Sequence, residues 1–466
     1  MTIGMLYPRD LIVRLMRGGR SFEKPSFYVE AAREAGENMF FFALEDIDWK
    51  RGTATGWNGV EPSWKRRPIP DVILNRTRTT SGYARRSIRR LLRLGKHVCN
   101  ERNVVSKLAV HRMLAKDEAL RPHLPETATV DRRKVKALLR EHGTLYLKPK
   151  RASVGFGIIR VSRVDDDTFA DINALGRTKR RKLGVRQIVK LVRGRRLGYL
   201  AQQGIALMQY RGSPVDFRVS VQRGEDGAWQ CTGMVGKVAR ARSIVTNLHC
   251  GGKSIKVSRL FEEWGWDEDE MRSAIADLGV RIAAALEREL PRIADLGLDI
   301  ALDEHGHPWF IEANFRDLRI TFRNAGERDV WRATFENPVR YAAALLRRTR
   351  GTAVPEAVVL ASAVPNVIVH GSVFPELGAP EAEISVADDL RADDLRADDL
   401  GEDVPVEDVL EAEALESDVP EADDLEVDVL EAVILDADDP AADVPEAEIL
   451  ESAVLEAVAA AAAAEG

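Results

Sequence analysis

Cysteine is scarce: Cys99, Cys231 and Cys250 are the only three in 466 residues, and no two have paired spacing. A disulfide framework is therefore excluded, as is a zinc site built from cysteine alone. No uninterrupted run of about 18 apolar residues exists, so no membrane-spanning helix is expected. The first residues lack the apolar run of a signal peptide. These absences fit a reducing, cytoplasmic setting. A P-loop is also missing. The stretch NLHCGGKS, Asn247–Ser254, resembles the end of one, but Asn247 stands where the motif needs Gly, and no obvious helix follows Lys253. His305 and His307 share a turn and read as solvated rather than metal-bound.

The formal net charge of −6 is unevenly spread. Of 74 acidic residues 33 follow Gly351, whereas only two of 68 basic residues do, Arg391 and Arg396. Residues 1–351 therefore carry +25 and the remainder −31. A body of +25 is either a surface for nucleic acid, an anionic polymer or an acidic peptide, or a solvated basic surface that the acidic segment partly neutralises. No nucleic-acid motif accompanies the charge, so nucleic acid is not the expected partner. After Gly351 the chain is almost wholly Ala, Val, Leu, Asp, Glu and Pro, with RADDL twice in tandem and Phe374 as its one aromatic residue. Dense negative charge and frequent Pro oppose a packed core. Disorder is expected over 351–466, with a short Ala-rich helix allowed at Val454–Ala464.

The body alternates strand and helix at its start. Ile3–Tyr7, Met39–Leu44 and Asp71–Asn75 are short apolar runs; Phe27–Ala35 and Ser87–Gly95 have helical spacing and close on Gly. Residues 1–100 are expected to form an α/β domain around a small parallel sheet, with a Trp-rich excursion (Trp49, Trp57, Trp64) inside it. Residues 101–350 read as a second domain of α+β type. It opens with a helix over Asn103–Lys116 that stops before Pro122 and Pro125. Leu145–Lys148 and Gly157–Val161 flank a small-residue loop. Gln187–Val192, Tyr199–Met208, Phe217–Gln222 and Gln230–Val238 are strand candidates. Met271–Leu290 and Asn337–Arg348 are helices.

The chemistry concentrates in LGLDIALDEHGHPWFIEANF. Asp299 and Glu312 fall on two strands joined by the turn Asp303–His307, and Glu312 and Asn314 are two apart, so they share a face. Two carboxylates and an amide oxygen make a hard oxygen site suited to Mg²⁺ shared with nucleotide phosphates. The apolar Trp309, Phe310 and Ile311 hold Glu312 near a core. Upstream, Lys148 ends a strand and Arg151–Gly157 forms a loop able to offer backbone N–H groups to a polyphosphate.

The ordered set of motifs resembles the ATP-grasp superfamily, and more narrowly the YheC/YheD-type proteins associated with bacterial endospore coats. The likeness spans roughly residues 1–348. It rests on NRTRTTSG near Asn75, KLAVHRMLAKDEALRPHLPET from Lys107, YLKPKRASVGFGI, YLAQQGIAL, PVDFRVSVQ, GMVGKVARARSIVTNLHCGG and LGLDIALDEHGHPWFIEANFRDLR. The resemblance implies an ATP-grasp fold: an N-terminal α/β domain and two α+β subdomains clasping ATP. It implies that Lys107 and Lys148 bind ATP phosphates and that Ser153, Gly155 and Gly157 form the loop over them. Gln202, Gln203, Gly204 and Ile205 would receive adenine, with Gln209 near the ribose. Arg218 and Lys237 would stabilise the transferred phosphoryl group, Asn247 would sit beside substrate or phosphate, and Asp299, Glu312 and Asn314 would hold Mg²⁺. Three departures stand out. Gln202 and Gln203 replace frequent acidic residues, Gln209 replaces a frequent Glu, and FRDLR follows Asn314 where many ligases have a Pro/Gly turn.

The implied reaction is ligation of a small-molecule or peptide carboxylate to an amine through an acylphosphate, with ATP and Mg²⁺. A spore-coat assembly protein that binds ATP without ligation, and a kinase that stops at phosphoryl transfer, are the rivals. Partners by the same resemblance include spore-coat proteins. The charge split gives one test that needs no substrate. A chain ending at Gly351 should bind an anionic polymer more tightly than the full chain at low salt, and the gap should close as the screening length falls toward roughly 8 Å near physiological ionic strength. Equal binding at low salt would leave the acidic segment a solubilising role only.

Overall fold

A computed structural model describes residues 1–150, 157–174, 177–193, 198–246 and 248–351. Eighteen strands among them form three sheets.

The first sheet contains β1 (Thr2–Leu6), β2 (Asn38–Asp48), β3 (Thr53–Trp57), β4 (Lys65–Pro68), β5 (Val72–Asn75) and β6 (His97–Cys99) in the order β4-β3-β2-β1-β5-β6. Its β2-β1-β5-β6 part is parallel, as strand–helix alternation requires, whereas β3 and β4 add antiparallel. The excursion containing Trp57 is therefore an extension of the sheet rather than a loop. Both faces are covered, which explains the unbroken apolar run in β2. Helices α1 (Arg9–Met16) and α2 (Pro25–Glu34) cover one face, with Met39 and Phe41 beneath, and α3 (Gly82–Arg93) covers the other, over Phe40 and Phe42. Ser81 caps α3 by accepting from the Ala84 N–H.

The second sheet is antiparallel: β7 (Thr127–Thr129), β8 (Thr144–Pro149), β9 (Ile159–Val164), β10 (Asp167–Ala174), β11 (Arg177–Lys182) and β12 (Tyr199–Gln203), in the order β11-β10-β9-β8-β12-β7. Helix α4 (Lys107–Leu114) precedes it; α5 (Arg132–His142) and α6 (Val185–Arg193) pack on it. Two expectations fail here. Gln187–Val192 is helix α6, because Ile188, Val189 and Val192 fall on one helical face and bury against the sheet. The strand expected over Tyr199–Met208 stops at Gln203, where the Gly204 N–H turns to the Thr144 carbonyl at 2.8 Å.

The third sheet holds β13 (Gln209–Tyr210), β14 (Ser213–Arg223), β15 (Trp229–Val238), β16 (Lys253–Ile255), β17 (Asp295–Leu302) and β18 (Pro308–Asn314) in the path β16-β15-β14-β17-β18, with β13 on β14. Helices α7 (Val257–Trp264) and α8 (Glu268–Glu287) cover its apolar face, where Phe217, Val219, Val221, Leu296, Leu298 and Ile300 are buried. The intervening positions, Asp216, Arg218, Ser220 and Gln222 on β14 and Asp295, Gly297 and Asp299 on β17, form an opposite, polar face.

Helix α9 (Ile320–Asn324) and helix α10 (Arg328–Gly351) end the described body, the latter much longer than the expected Asn337–Arg348. Phe335, Val339, Ala343 and Leu346 of α10 complete the core beneath the first sheet. Pro338 lies inside α10 and has no N–H to offer Thr334. The freed Thr334 carbonyl accepts from Gln222 Nε2 at 2.8 Å instead. No helix among the described residues is long and apolar enough to cross a membrane.

A buried polar knot joins the first sheet to the third. Glu23 Oε1 accepts from Arg76 Nε at 2.9 Å, and its Oε2 accepts from the hydroxyls of Tyr7 at 2.7 Å and Tyr28 at 3.0 Å. Arg319 pairs with Asp295 beside it. Burial alone would raise the Glu23 pKa, but Arg76, Arg319 and the Tyr7 hydroxyl outweigh it and hold the carboxyl at about 2 against an ordinary 4.5. Its contribution to stability is thus present above about pH 4.5 and is lost as pH falls toward 2. Glu23→Gln leaves Arg76 without its closest counter-ion and should destabilise the fold by roughly 3–5 kcal/mol at neutral pH. The variant should also lose less stability than wild type between pH 4.5 and 2. Urea denaturation at several pH values checks both expectations.

Candidate functional site

The polar face of the third sheet meets the second sheet across a cavity of about 750 Å³. Asp299 and Glu312 lie on adjacent strands, as their spacing predicted; a register shift between Asp299 and Ile300 makes them direct cross-strand partners, and both border the cavity. Asn314 shares the Glu312 face and pairs in register with Gly297, but it lies outside the cavity wall. Its Nδ2 is buried and has no hydrogen-bond partner among the described residues, so the amide can rotate its oxygen toward a cation without losing a bond.

Each carboxylate already faces a cation of the chain. Asp299 Oδ1 accepts from Arg218 Nε at 2.8 Å, and its Oδ2 lies 2.9 Å from Lys237 Nζ. Burial would raise the Asp299 pKa; Arg218 and Lys237 outweigh it and lower it. Lys237 is fully buried, and burial would discharge it, yet Asp216 at 3.1 Å and Asp299 raise its pKa. Glu312 Oε1 is 2.9 Å from Lys107 Nζ. Lys107 sits in the first turn of α4, which Ser106 caps.

Across the cavity, Lys148 on β8 donates to Gln202 Oε1 at 2.6 Å, and Gln202 Nε2 donates to Thr127 at 3.0 Å. The Gln202 amide is thus fixed with its oxygen toward the amine. Gln203, Gly204, Ile205 and Gln209 continue the wall beside the apolar Tyr146, Ile158 and Val245. Gly157 is well matched to its place: its φ is 69°, and a Cβ there would lie 2.8 Å from the Tyr199 hydroxyl, which donates to the Gly157 carbonyl at 3.0 Å. Ser153, Gly155 and Asn247 lie outside the described residues.

Two residues escaped the sequence reading. Asp216 alternates with Arg218 on β14 and receives the Thr246 hydroxyl at 2.6 Å; the PVDFRVSVQ pattern contained that signal. Asp317 accepts from Arg218 Nη1 at 2.7 Å from a loop three residues past Asn314. Nothing in local spacing marks it. The ring of His307, read as solvated rather than metal-bound, stacks on His123 at 4.7 Å and engages the Pro122 carbonyl at 3.0 Å. Lys253 begins β16, consistent with the rejection of a P-loop.

At the cavity wall Lys107 pairs with Glu312, and Lys237 with Asp216 and Asp299; Lys148, Arg160, Arg242 and Glu304 also line it, whereas Arg218 and its partner Asp317 lie outside the wall. A polyanion entering a cleft whose Lys107 and Lys237 are already paired gains from added positive charge, which a divalent cation on Asp299, Glu312 and Asn314 would supply. The donor set is all oxygen and fits Mg²⁺.

Burial in the cleft lowers the Lys148 pKa to about 8, against the pull of Glu312 and helped by Lys107. Gln202→Glu would place a carboxylate where the amide oxygen now sits, 2.6 Å from that amine. The Lys148 pKa should then rise by roughly 1–3 pH units. Carbon-13 NMR titration of labelled lysine reads this directly, and an unchanged titration would contradict the geometry.

Residues 95–345 match the family described as YheC/D-like ATP-grasp. The endospore coat-associated protein YheD of Bacillus subtilis (strain 168) is 24% identical over 333 residues, covering 67% of this chain and 71% of that protein. The endospore coat-associated protein YheC of the same organism is 22% identical over 305 residues, covering 62% and 83%. D-alanyl-alanine synthetase A from Vibrio cholerae O1 biovar eltor aligns over 76% of this chain and 98% of its own, at 12% identity and a TM-score of 0.44. The match over 95–345 takes in more than half of the 466 residues, and the chain belongs to the YheC/D-like ATP-grasp family.

Proposed function

We propose that this protein is an ATP- and Mg²⁺-dependent carboxylate–amine ligase that works through an acylphosphate. The observation carrying the reading is the Asp299–Glu312 cross-strand pair at the wall of a cavity into which Lys107, Lys148 and Lys237 also face. In this reading Asp299, Glu312 and Asn314 hold Mg²⁺, which supplies charge to neutralise the phosphate oxygens. Lys107 and Lys148 bind the phosphates as point charges. Gly157, with Ser153 and Gly155, covers them. The wall from Gln202 to Ile205 takes adenine against Tyr146 and Ile158, and Gln209 lies by the ribose. In the same reading residues 1–100 are the N-terminal α/β domain, 101–350 the ATP-grasp domain and 351–466 an acidic segment, with α10 packing back on the first sheet.

The carboxylate of one substrate attacks the γ-phosphorus and ADP leaves. Arg218 and Lys237 face the oxygens on which charge then develops, which is where fixed cations contribute most. The amine of the second substrate attacks the acyl carbon, phosphate leaves, and the amine loses a proton to the medium or to a nearby base. Asn247 is assigned to the substrate side. No protein nucleophile is needed. The family names of YheD and YheC extend the proposal to a role at the endospore coat, with coat proteins or peptides among the substrates. One observation favours the rival of nucleotide binding without turnover: both Asp299 oxygens are engaged by Arg218 and Lys237.

The test is release of ADP and phosphate against pooled amino acids, peptides and cell-wall precursors. Wild type should turn over in the presence of Mg²⁺ with at least one pool. Glu312→Ala should abolish that turnover, with a fold unchanged by circular dichroism. Turnover undiminished in Glu312→Ala would remove the proposed metal site.

A further inference from the structure

Immediately after the strand that carries Glu312 and Asn314, the chain folds back over the polar face of the third sheet. Asp317, in this segment, has no exposure. Its carboxylate lies directly over Gly297: a Cβ at position 297 would come within 2.6 Å of Asp317 Cγ. Only glycine lets the acid close onto the sheet. The Asp317 carbonyl accepts from Arg76 Nη2 at 2.7 Å, and its Oδ1 accepts from the Arg319 N–H at 3.3 Å. Arg319 itself is left-handed, with φ 64°, a conformation that strains a non-glycine residue. Its guanidinium is held against that strain by Asp295 and by the rings of Tyr28 and Phe335. Asp317 is thus fixed from three sides, by Gly297, Arg76 and the Arg319 turn.

Its Oδ2 is buried with no hydrogen-bond partner among the described residues. A carboxylate so placed is costly unless its charge has a use. The cation it faces is Arg218, whose Nη1 is 2.7 Å from Oδ1. Arg218 divides its donors: Nη1 goes to Asp317, while Nε goes to Asp299 at 2.8 Å and Nη2 lies 3.5 Å from the other Asp299 oxygen. The ligase reading, on which this inference rests, asks Asp299 to turn to a metal. Arg218 then loses the partner of Nε and Nη2 and keeps the partner of Nη1.

We propose that Asp317 is a positioning residue for phosphoryl transfer: it holds Arg218 by Nη1 so that Nε and Nη2, once released by Asp299, face the transferred group. The acid acts through the guanidinium and touches neither nucleotide nor metal. Its effect belongs to the transition state, where charge on the transferred oxygens is spread and a fixed cation is most effective.

The experiment compares two probes on the full chain by calorimetry. One is Mg²⁺ with a non-hydrolysable ATP analogue, AMPPNP; the other is Mg²⁺, ADP and aluminium fluoride, a planar mimic of the phosphoryl group in flight. Asp317→Asn keeps the shape and one acceptor oxygen but removes the charge. It should leave AMPPNP affinity within about threefold of wild type and weaken the aluminium fluoride complex at least tenfold. In an Arg218→Met background the same substitution should change that complex less than twofold, since the acid then has nothing to hold. This double variant also removes the guanidinium that Asp317→Asn leaves with one carboxylate fewer, so it provides a reading if Asp317→Asn alone does not fold. Equal weakening of both probes would make Asp317 purely structural, and no weakening of either would make it idle; either result overturns the proposal. Failure of the wild-type chain to bind Mg²⁺-AMPPNP would overturn the ligase reading and the proposal with it.

Discussion

Arg218 on β14 and Asp299 on β17 face each other across one register pair, and their ion pair allows a charged sheet face to exist away from water. Strict alternation along both strands sends Phe217, Val219, Leu298 and Ile300 into the core under α8, so the opposite face has no choice but to be polar. Covering such a face with the second sheet and the 315–320 segment would be prohibitive without partners, because an isolated buried charge costs far more than a stripped hydrogen bond. The structure meets this constraint by pairing. Lys237 bridges Asp216 and Asp299, Arg218 bridges Asp299 and Asp317, and Lys107 meets Glu312. The same constraint explains how the cleft can be both well ordered and ready to rearrange. Lys107, Arg218 and Lys237 are each already paired with a carboxylate, so an incoming polyanion and a divalent ion would exchange partners with existing ion pairs.

The pairing continues beyond the cleft and ties the N-terminal layer to it. Arg76 reaches from the end of β5 to the Asp317 carbonyl while holding Glu23. Asn100 donates to the carbonyls of Asp295 and Phe315, and Gln222 divides its amide nitrogen between Asp295 and the carbonyl that Pro338 leaves free in α10. The first sheet, the third sheet and the last helix therefore share one buried polar seam. Arg76 thereby touches the segment whose Asp317 holds Arg218 of β14.

The sequence made some of this legible and hid the rest for physical reasons. The β17–β18 hairpin could be read because a short turn joins its strands, but the register shift beside Asp299 that sets it directly opposite Glu312 could not. The polar alternation of β14 lay in the open, although Asp216 was not picked out of it. Helix α6 was misread because a short apolar run, Ile188 to Val192, fits a buried strand as well as a helix. Strand β11, RTKRRK, carries no apolar residue to announce it and is ordered by pairing with β10. Asp317, Arg76 and Glu23 were invisible for a different reason. The contacts that link them, Glu23 to Arg76 and Arg76 to Asp317, span 53 and 241 positions, and only the fold brings them together.

The central claim is that the Asp299–Glu312 pair on this polar face receives a metal-bound nucleotide. A crystal structure with Mg²⁺ and AMPPNP tests it most directly. The account predicts the metal within coordinating distance of Asp299 and Glu312, the phosphates beside Lys107 and Lys148, and Asp299 parted from Arg218. A nucleotide bound elsewhere, or bound here with Asp299 still paired to Arg218 and Lys237, would contradict it.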